Sequence, residues 1–241
     1  MPRRASATRA GMVSASAAAA AYPRLRLMYF ALRARAEPAR LLLRYAGIPY
    51  EDEVVGRDWA KLKPTTPWGS LPVLVVDDTT HIAQTGAVCR YVAGLNPAAG
   101  LLPECGTRRA MADSVFECAE ELTTACNQLV NRFRANSDEF ASKKAEFTAA
   151  LEAKLGFAER FLPDGEEYFG GSRPHFGDFN LFHVLDNAQL VLPDCLAPYP
   201  KLAAWMRRME GLDALRAYLA ERPQKGSGKV GLPRSLMQTK D

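Results

Sequence analysis

Among the side chains able to do chemistry, Tyr29 has the most suggestive setting. It closes a short apolar alternation of Leu25, Leu27 and Tyr29; an arginine-rich turn with Arg33 and Arg35 follows, and Glu37-Pro38 then open a helix. Unpaired N–H groups and the helix dipole favour negative charge at such a start, so a tyrosine there is placed to hold an anion. Gln84-Thr85 precede a second helical run, Gly86 to Ala93, with Thr85 as its expected N-cap. The remaining reactive residues form no constellation. Cys89, Cys105, Cys118, Cys126 and Cys195 make no C-x-x-C pair and no metal-ligand spacing. Their odd number argues against a disulfide framework, and a reducing compartment is the simpler reading. His81, His175 and His183 do not gather with the cysteines, so no metal site is expected.

The elements that must position Tyr29 are legible in order. A strand ends at Tyr29, a turn follows, and a helix runs from Glu37 to a stop at Gly47, with Pro38 in its first turn. Tyr50 to Val55 form a second strand, which completes a β-α-β unit with parallel strands. A polar loop rich in proline and aromatic residues spans Gly56 to Ser70, and loops of this length are often functional. Leu71 to Val76 and Thr80 to Ala83 read as a hairpin turned at Asp77-Asp78, and the helix after Thr85 closes a β-β-α unit. Pro72 at a strand start belongs at an edge or a special bend. This βαβ-ββα order is a thioredoxin-like arrangement. The redox cysteine pair of such a fold would fall where Tyr29 to Leu32 stand, which disfavours thiol–disulfide exchange by the chain's own cysteines.

Asn96 to Gly106 read as a linker, and strand signals vanish beyond it. Helical patterns cover roughly 107–135, 138–162, 178–191, 200–209 and 212–221, so the second domain is expected to be all-α. The expected organisation is an N-terminal extension (1–22), an α/β domain (23–95), the linker (96–106), a helical domain (107–223) and a tail (224–241). Residues 1–22 are rich in Ala and Ser, carry Arg3, Arg4 and Arg9 and contain no acid. That composition fits an organelle transit peptide and an inert tail about equally. The cytoplasm is the expected location, or a mitochondrion or plastid if the extension is a transit peptide.

The 241 residues are 48% hydrophobic and 24% charged, an ordinary balance for a globular chain with a real core. The net charge of +4 is mild and spread along the chain, which argues against nucleic-acid binding. No apolar run reaches the roughly 18 to 20 residues of a membrane helix.

Five motifs in this order resemble the cytosolic-type glutathione transferases, closest to the sigma group among the tyrosine-using classes. They are Tyr29-Phe30 with Arg35-Ala36-Glu37-Pro38-Ala39-Arg40; Trp59 with Leu62 to Gly69; Leu71 to Leu74; Gln84 to Tyr91; and Gly177-Asp178-Phe179. The resemblance implies that Tyr29 hydrogen-bonds the glutathione sulfur with Arg35 nearby. Trp59 and Lys63 would hold the glycine carboxylate. Leu71 would pair its backbone with the cysteinyl part, with Pro72 cis, and Gln84 and Thr85 would bind the γ-glutamyl carboxylate. Glu121, with Glu120 next, would reach the γ-glutamyl amine from a partner subunit, which requires a homodimer. The second substrate would be a hydrophobic electrophile, in a pocket lined by the turn after Tyr29 and the helix from about 107. A glutathione-dependent isomerase or peroxidase and a non-catalytic ligand-binding or structural protein are the alternatives on the same fold.

Taken singly, each residue also has a structural reading: Tyr29 as a buried strand tyrosine, Trp59 as packing, Lys63 as a solvated charge, Gln84-Thr85 as a cap, and Arg35 as a balance for Glu37. Their joint occurrence favours the enzyme. Three departures from the family pattern stand out. Thr85 replaces a usual serine and keeps the hydroxyl. His175 stands where Ser or Thr usually caps the helix, which is expected to weaken the capping box. The two terminal extensions are the third.

Overall fold

The structure is a computed structural model that describes residues 22–132 and 137–222. The expectations for the N-terminal segment and for the tail after 223 lie outside these residues. Four strands form one mixed sheet: β1 Leu25–Tyr29, β2 Glu51–Val54, β3 Val73–Val76 and β4 Thr80–Ala83, in the order β2-β1-β3-β4. β1 runs parallel to β2, with Tyr29 opposite Val54, and antiparallel to β3, with Met28 opposite Val73. The β3–β4 hairpin turns at Asp77 and Asp78, both left-handed at φ 49° and 56°, as a two-residue primed turn requires.

Alternation along β1 separates two packed faces. Leu25, Leu27 and Tyr29 face α1 (Glu37–Tyr45) and α3 (Thr85–Leu95) in the main core, with Leu41 to Leu43, Val88 and Val92 fully buried there. Met28, Val55, Val73 and Val75 form a second cluster, covered by Phe30, Leu71 and the short helix α2 (Trp59–Leu62). Gly47 at φ 64° ends α1.

The second half is helical: α4 Gly106–Arg132, α5 Asp138–Phe161, α6 Phe176–Val191, α7 Pro200–Glu210 and α8 Asp213–Glu221. α6 is buried almost all round, the pattern of a central helix. No helix among the described residues is long and apolar enough to cross a membrane.

Two expectations about helix starts need correction. The capping box of α6 is complete. His175 Nδ1 accepts the N–H groups of Gly177 (3.1 Å) and Asp178 (3.4 Å), and Asp178 Oδ2 accepts the N–H of His175 (3.0 Å). A ring nitrogen does the work expected of a hydroxyl, and the helix begins at Phe176, two residues before the expected 178. Thr85 is not the cap of α3 either: it is the first helical residue, and Gln84 holds the cap position with no side-chain bond.

Candidate active site

Tyr29 stands at the C-terminal end of β1, an interior strand, where the chain leaves through Phe30 to Arg33 and tightens into a single 3₁₀ turn, Ala34–Ala36, before α1. The turn brings the backbone N–H of Arg35 to the Tyr29 hydroxyl, which accepts it at 3.2 Å. The backbone carbonyl of Arg35 accepts from the Thr85 hydroxyl, also at 3.2 Å. One peptide segment thus ties together the end of β1, the turn and the start of α3. Tyr29 is only 7% exposed. Burial raises its pKa, against the opposing pull of the Arg35 N–H and of the Arg35 and Arg40 charges. The hydroxyl therefore keeps its proton near neutrality, and with one lone pair taken it remains a donor.

The structure sorts the expected site residues into three groups. Tyr29, Arg35 and Thr85 are joined directly. Gln84, Leu71 and Pro72 lie at the adjoining ends of β3 and α3. Gln84 is held at φ 74°, a conformation a non-glycine residue rarely adopts and one that recurs at functional sites. The first-turn N–H groups of α3 therefore have no side-chain cap from Gln84. The Leu71–Pro72 bond is cis, and ladder pairing of β3 starts only at Val73, so Leu71 lies beyond the ladder. In the third group, Trp59 is half-buried and packs edge-on against Phe30 at 5.7 Å, while Lys63 is exposed and its stem passes Gly69.

Within one chain Glu121 does not join this group. It is exposed on α4 and pairs with Lys154 of α5 at 2.6 Å. Its neighbour Glu120 meets the Arg35 guanidinium at 2.8 Å, and Thr124 accepts a second bond from it at 3.1 Å. Asn180 holds the other oxygen of Glu120 at 3.1 Å. Arg35 therefore does not balance Glu37, and its side chain anchors the turn to α4.

Sequence reasoning missed what lies beneath the turn. Glu37 is fully buried; Tyr218 donates to both its carboxylate oxygens (3.0 and 2.9 Å), and Arg222 and Arg40 approach at 3.3 and 3.5 Å. Arg40 also bonds Asp52 twice (2.7 and 3.2 Å) and the carbonyl of Leu32 (2.9 Å), while Arg33 and Arg222 share Asp186. Burial would raise the Glu37 pKa, yet Arg40, Arg222, His183 and Arg33 together hold it below its ordinary value. The spacing of Glu37 and Arg40 on one helix was the only local signal. Asp186, Tyr218 and Arg222 come from the far end of the chain.

A family model of the glutathione S-transferase N-terminal domain matches residues 34–95, and one of the C-terminal domain matches 121–222. Hematopoietic prostaglandin D synthase of Gallus gallus is 34% identical over 209 residues, which span 84% of this chain and 98% of that protein. Glutathione S-transferase 1 of Ascaris suum is 30% identical over 207 residues, with the same coverage. The chain belongs to the glutathione S-transferase family. The solved glutathione S-transferase of Ascaris lumbricoides, 30% identical, matches with a TM-score of 0.73 over 84% of this chain and 98% of its own. Like its relatives, this chain joins a thioredoxin-like sheet to a helical half, and Tyr29 sits where the two meet.

Proposed function

We propose that the protein is a glutathione transferase of the sigma-like, tyrosine-using group, conjugating the thiolate of glutathione to hydrophobic electrophiles, a detoxification chemistry. The observation that carries the reading is the buried, protonated Tyr29 hydroxyl, whose lone pair is occupied by the Arg35 N–H. Its proton is then free to be shared with a sulfur. A free thiol titrates near pH 8.5, so lowering it by about two units takes roughly 2.7 kcal/mol. A hydrogen bond to a charged acceptor contributes about 1.5–3 kcal/mol, and the start of a helix adds more. The thiol proton leaves to solvent, sulfur bonds the electrophilic carbon, and the leaving group departs with the electron pair of its bond.

Glutathione is itself a tripeptide anion, and the other residues suit its ends. Gln84 and Thr85, at the uncapped start of α3, would take the γ-glutamyl carboxylate. Leu71, free of the ladder and followed by cis Pro72, would pair its backbone with the cysteinyl part. Trp59 and Lys63 would hold the glycine carboxylate. In a homodimer, Glu121 of the partner subunit would meet the γ-glutamyl amine. On this reading residues 23–95 bind glutathione, 96–106 link, 107–223 supply the apolar second site, and the enzyme works in the cytoplasm. A second reading, glutathione-dependent isomerisation, is favoured by the 34% identity to a hematopoietic prostaglandin D synthase.

The test compares wild type with Tyr29→Phe, following the ultraviolet thiolate absorbance of bound glutathione against pH together with the conjugation rate. The expected result is a midpoint well below pH 8.5 in wild type, with shift and rate both lost in the variant. Binding of glutathione without any shift in either protein would remove the transferase mechanism.

A further inference from the structure

The pair formed by Arg35 and Glu120 is held by less than its charges suggest. The Arg35 side chain is 37% exposed and that of Glu120 19%, and ion pairs with this much access to water contribute little by themselves. Nor do the two groups form the two-bond fork that arginine often makes with a carboxylate. Arg35 Nη1 donates to Glu120 Oε2 at 2.8 Å, while Nη2 is taken up by the Thr124 hydroxyl at 3.1 Å.

The other oxygen of Glu120 is held from inside the protein. Asn180 has no exposed surface and stands on α6 among the buried Phe179, Leu181 and Phe182. Its Nδ2 donates to Glu120 Oε1 and to the backbone carbonyl of Phe116, both at 3.1 Å. Both partners only accept, so the amide has a single orientation. Oδ1 is then left buried with no partner among the described residues. An apolar side chain would avoid the cost of that oxygen, so what asparagine contributes here is its donor.

Glu120 matters to the site because its charge is felt there. It raises the Tyr29 pKa, as the charges of Arg35 and Arg40 lower it. An acid that disfavours a phenolate also disfavours a thiolate in the same place. Bound by an amide at one oxygen and a guanidinium at the other, the carboxylate has its charge taken up locally. The chain of contacts runs from the central helix to the turn: Asn180 to Glu120, Glu120 to Arg35, and the Arg35 backbone N–H to the Tyr29 hydroxyl.

We propose that Asn180 is a positioning residue for thiol activation, holding the Glu120 carboxylate against α6 so that its charge does not oppose the glutathione thiolate beside Tyr29. This role rests on the transferase reading above.

The test is the absorbance titration of bound glutathione in Asn180→Leu, alone and combined with Glu120→Gln. In Asn180→Leu the thiol midpoint should rise by about half a pH unit and the conjugation rate at about pH 6 should fall roughly threefold, while glutathione affinity changes by less than about twofold. With Glu120→Gln already present there is no charge to hold, so adding Asn180→Leu should shift neither midpoint nor rate. Asn180→Asp keeps the shape and sets a second acid against Glu120, so its midpoint should lie at least as high; it serves if leucine disturbs the melting curve. A wild type with no thiol shift would remove the transferase reading and this role with it. A shifted wild type whose midpoint is unchanged in both Asn180 variants, or an equal loss with and without Glu120→Gln, would overturn the role of Asn180 and leave that reading standing.

Discussion

Replacing Glu37 by Gln tests whether the buried charges hold the two halves together. The substitution keeps the shape and removes one charge from a side chain with no exposed surface. In the native cluster Arg33, Arg40 and Arg222 face Glu37, Asp52 and Asp186, three charges of each sign. The variant leaves one positive charge unmatched. Arg40 keeps both bonds to Asp52, but Arg222 loses its second acid, so Asp186 alone faces Arg33 and Arg222. Breaking a buried pair costs about 3–5 kcal/mol, and the surviving partners put this case at the lower end, near 3 kcal/mol. For a chain of this size each kcal/mol moves the melting temperature by roughly 2–4 °C, so a fall of about 6–12 °C is expected at pH 7.

The pH dependence gives the same prediction an independent check. The Glu37 carboxyl is held below its ordinary 4.5: burial pushes it up, and the arginines and His183 more than offset that. A depressed acid contributes stability that is present above the unfolded pKa and is lost as pH falls through the folded one. The gap between wild type and Glu37→Gln in urea unfolding should therefore stay constant down to about pH 4.5 and narrow below it. A gap under about 1 kcal/mol at pH 7 would mean that the cluster contributes little, as exposed pairs do, and would refute the reasoning.

Two further outcomes follow from the same neighbourhood. Burial, helped by Arg222, Arg33 and Arg40 against the pull of Glu37, lowers the His183 pKa from 6.5 to about 3. The unfolded chain thus takes up a proton below pH 6.5 that the native chain refuses, and stability should drop by about 2 kcal/mol between pH 6.5 and 5. His183→Gln should lack that part of the slope in urea unfolding, and an identical slope in both proteins would sink the assignment. Arg35→Ala keeps the backbone donor to Tyr29 but leaves Glu120 without its cation, so the bound thiol should titrate higher and conjugation should fall about tenfold. Adding Glu120→Gln should restore most of both; a double variant no better than the single would mean that the guanidinium acts on the sulfur itself.

What could be read from the sequence was what local chemistry encodes. The alternation of Leu25, Leu27 and Tyr29, the Asp77-Asp78 turn and the proline and glycine bounding α1 each specify structure within a few residues, and all four strands and the long helices appear where those signals put them. Tyr29 was legible for the same reason: strand end, turn and helix start are adjacent in the chain. Two failures were failures of residue grammar. A helix cap was sought as a hydroxyl, which hid the acceptor nitrogen of His175 and assigned the cap of α3 to Thr85, whose hydroxyl donates across to Arg35 instead.

The buried cluster is a different kind of failure. Glu37 meets Arg222 across 185 positions and Arg33 meets Asp186 across 153. Hydropathy patterning reads a charged residue as a solvated one, and nothing in the spacing of Glu37 says that three arginines will close over it. Yet this cluster sets the site. Arg40 donates to the carbonyl of Leu32, and Arg33 is tied to Asp186, so both flank the short turn whose Arg35 N–H reaches Tyr29. The tyrosine could be found from its neighbours in sequence, whereas what fixes its hydroxyl depends on residues that only the folded chain brings near. Variants in α6 or just after α8, at Asp186 or Arg222, should therefore disturb the proposed thiol activation although neither residue bonds to Tyr29, Arg35 or Thr85.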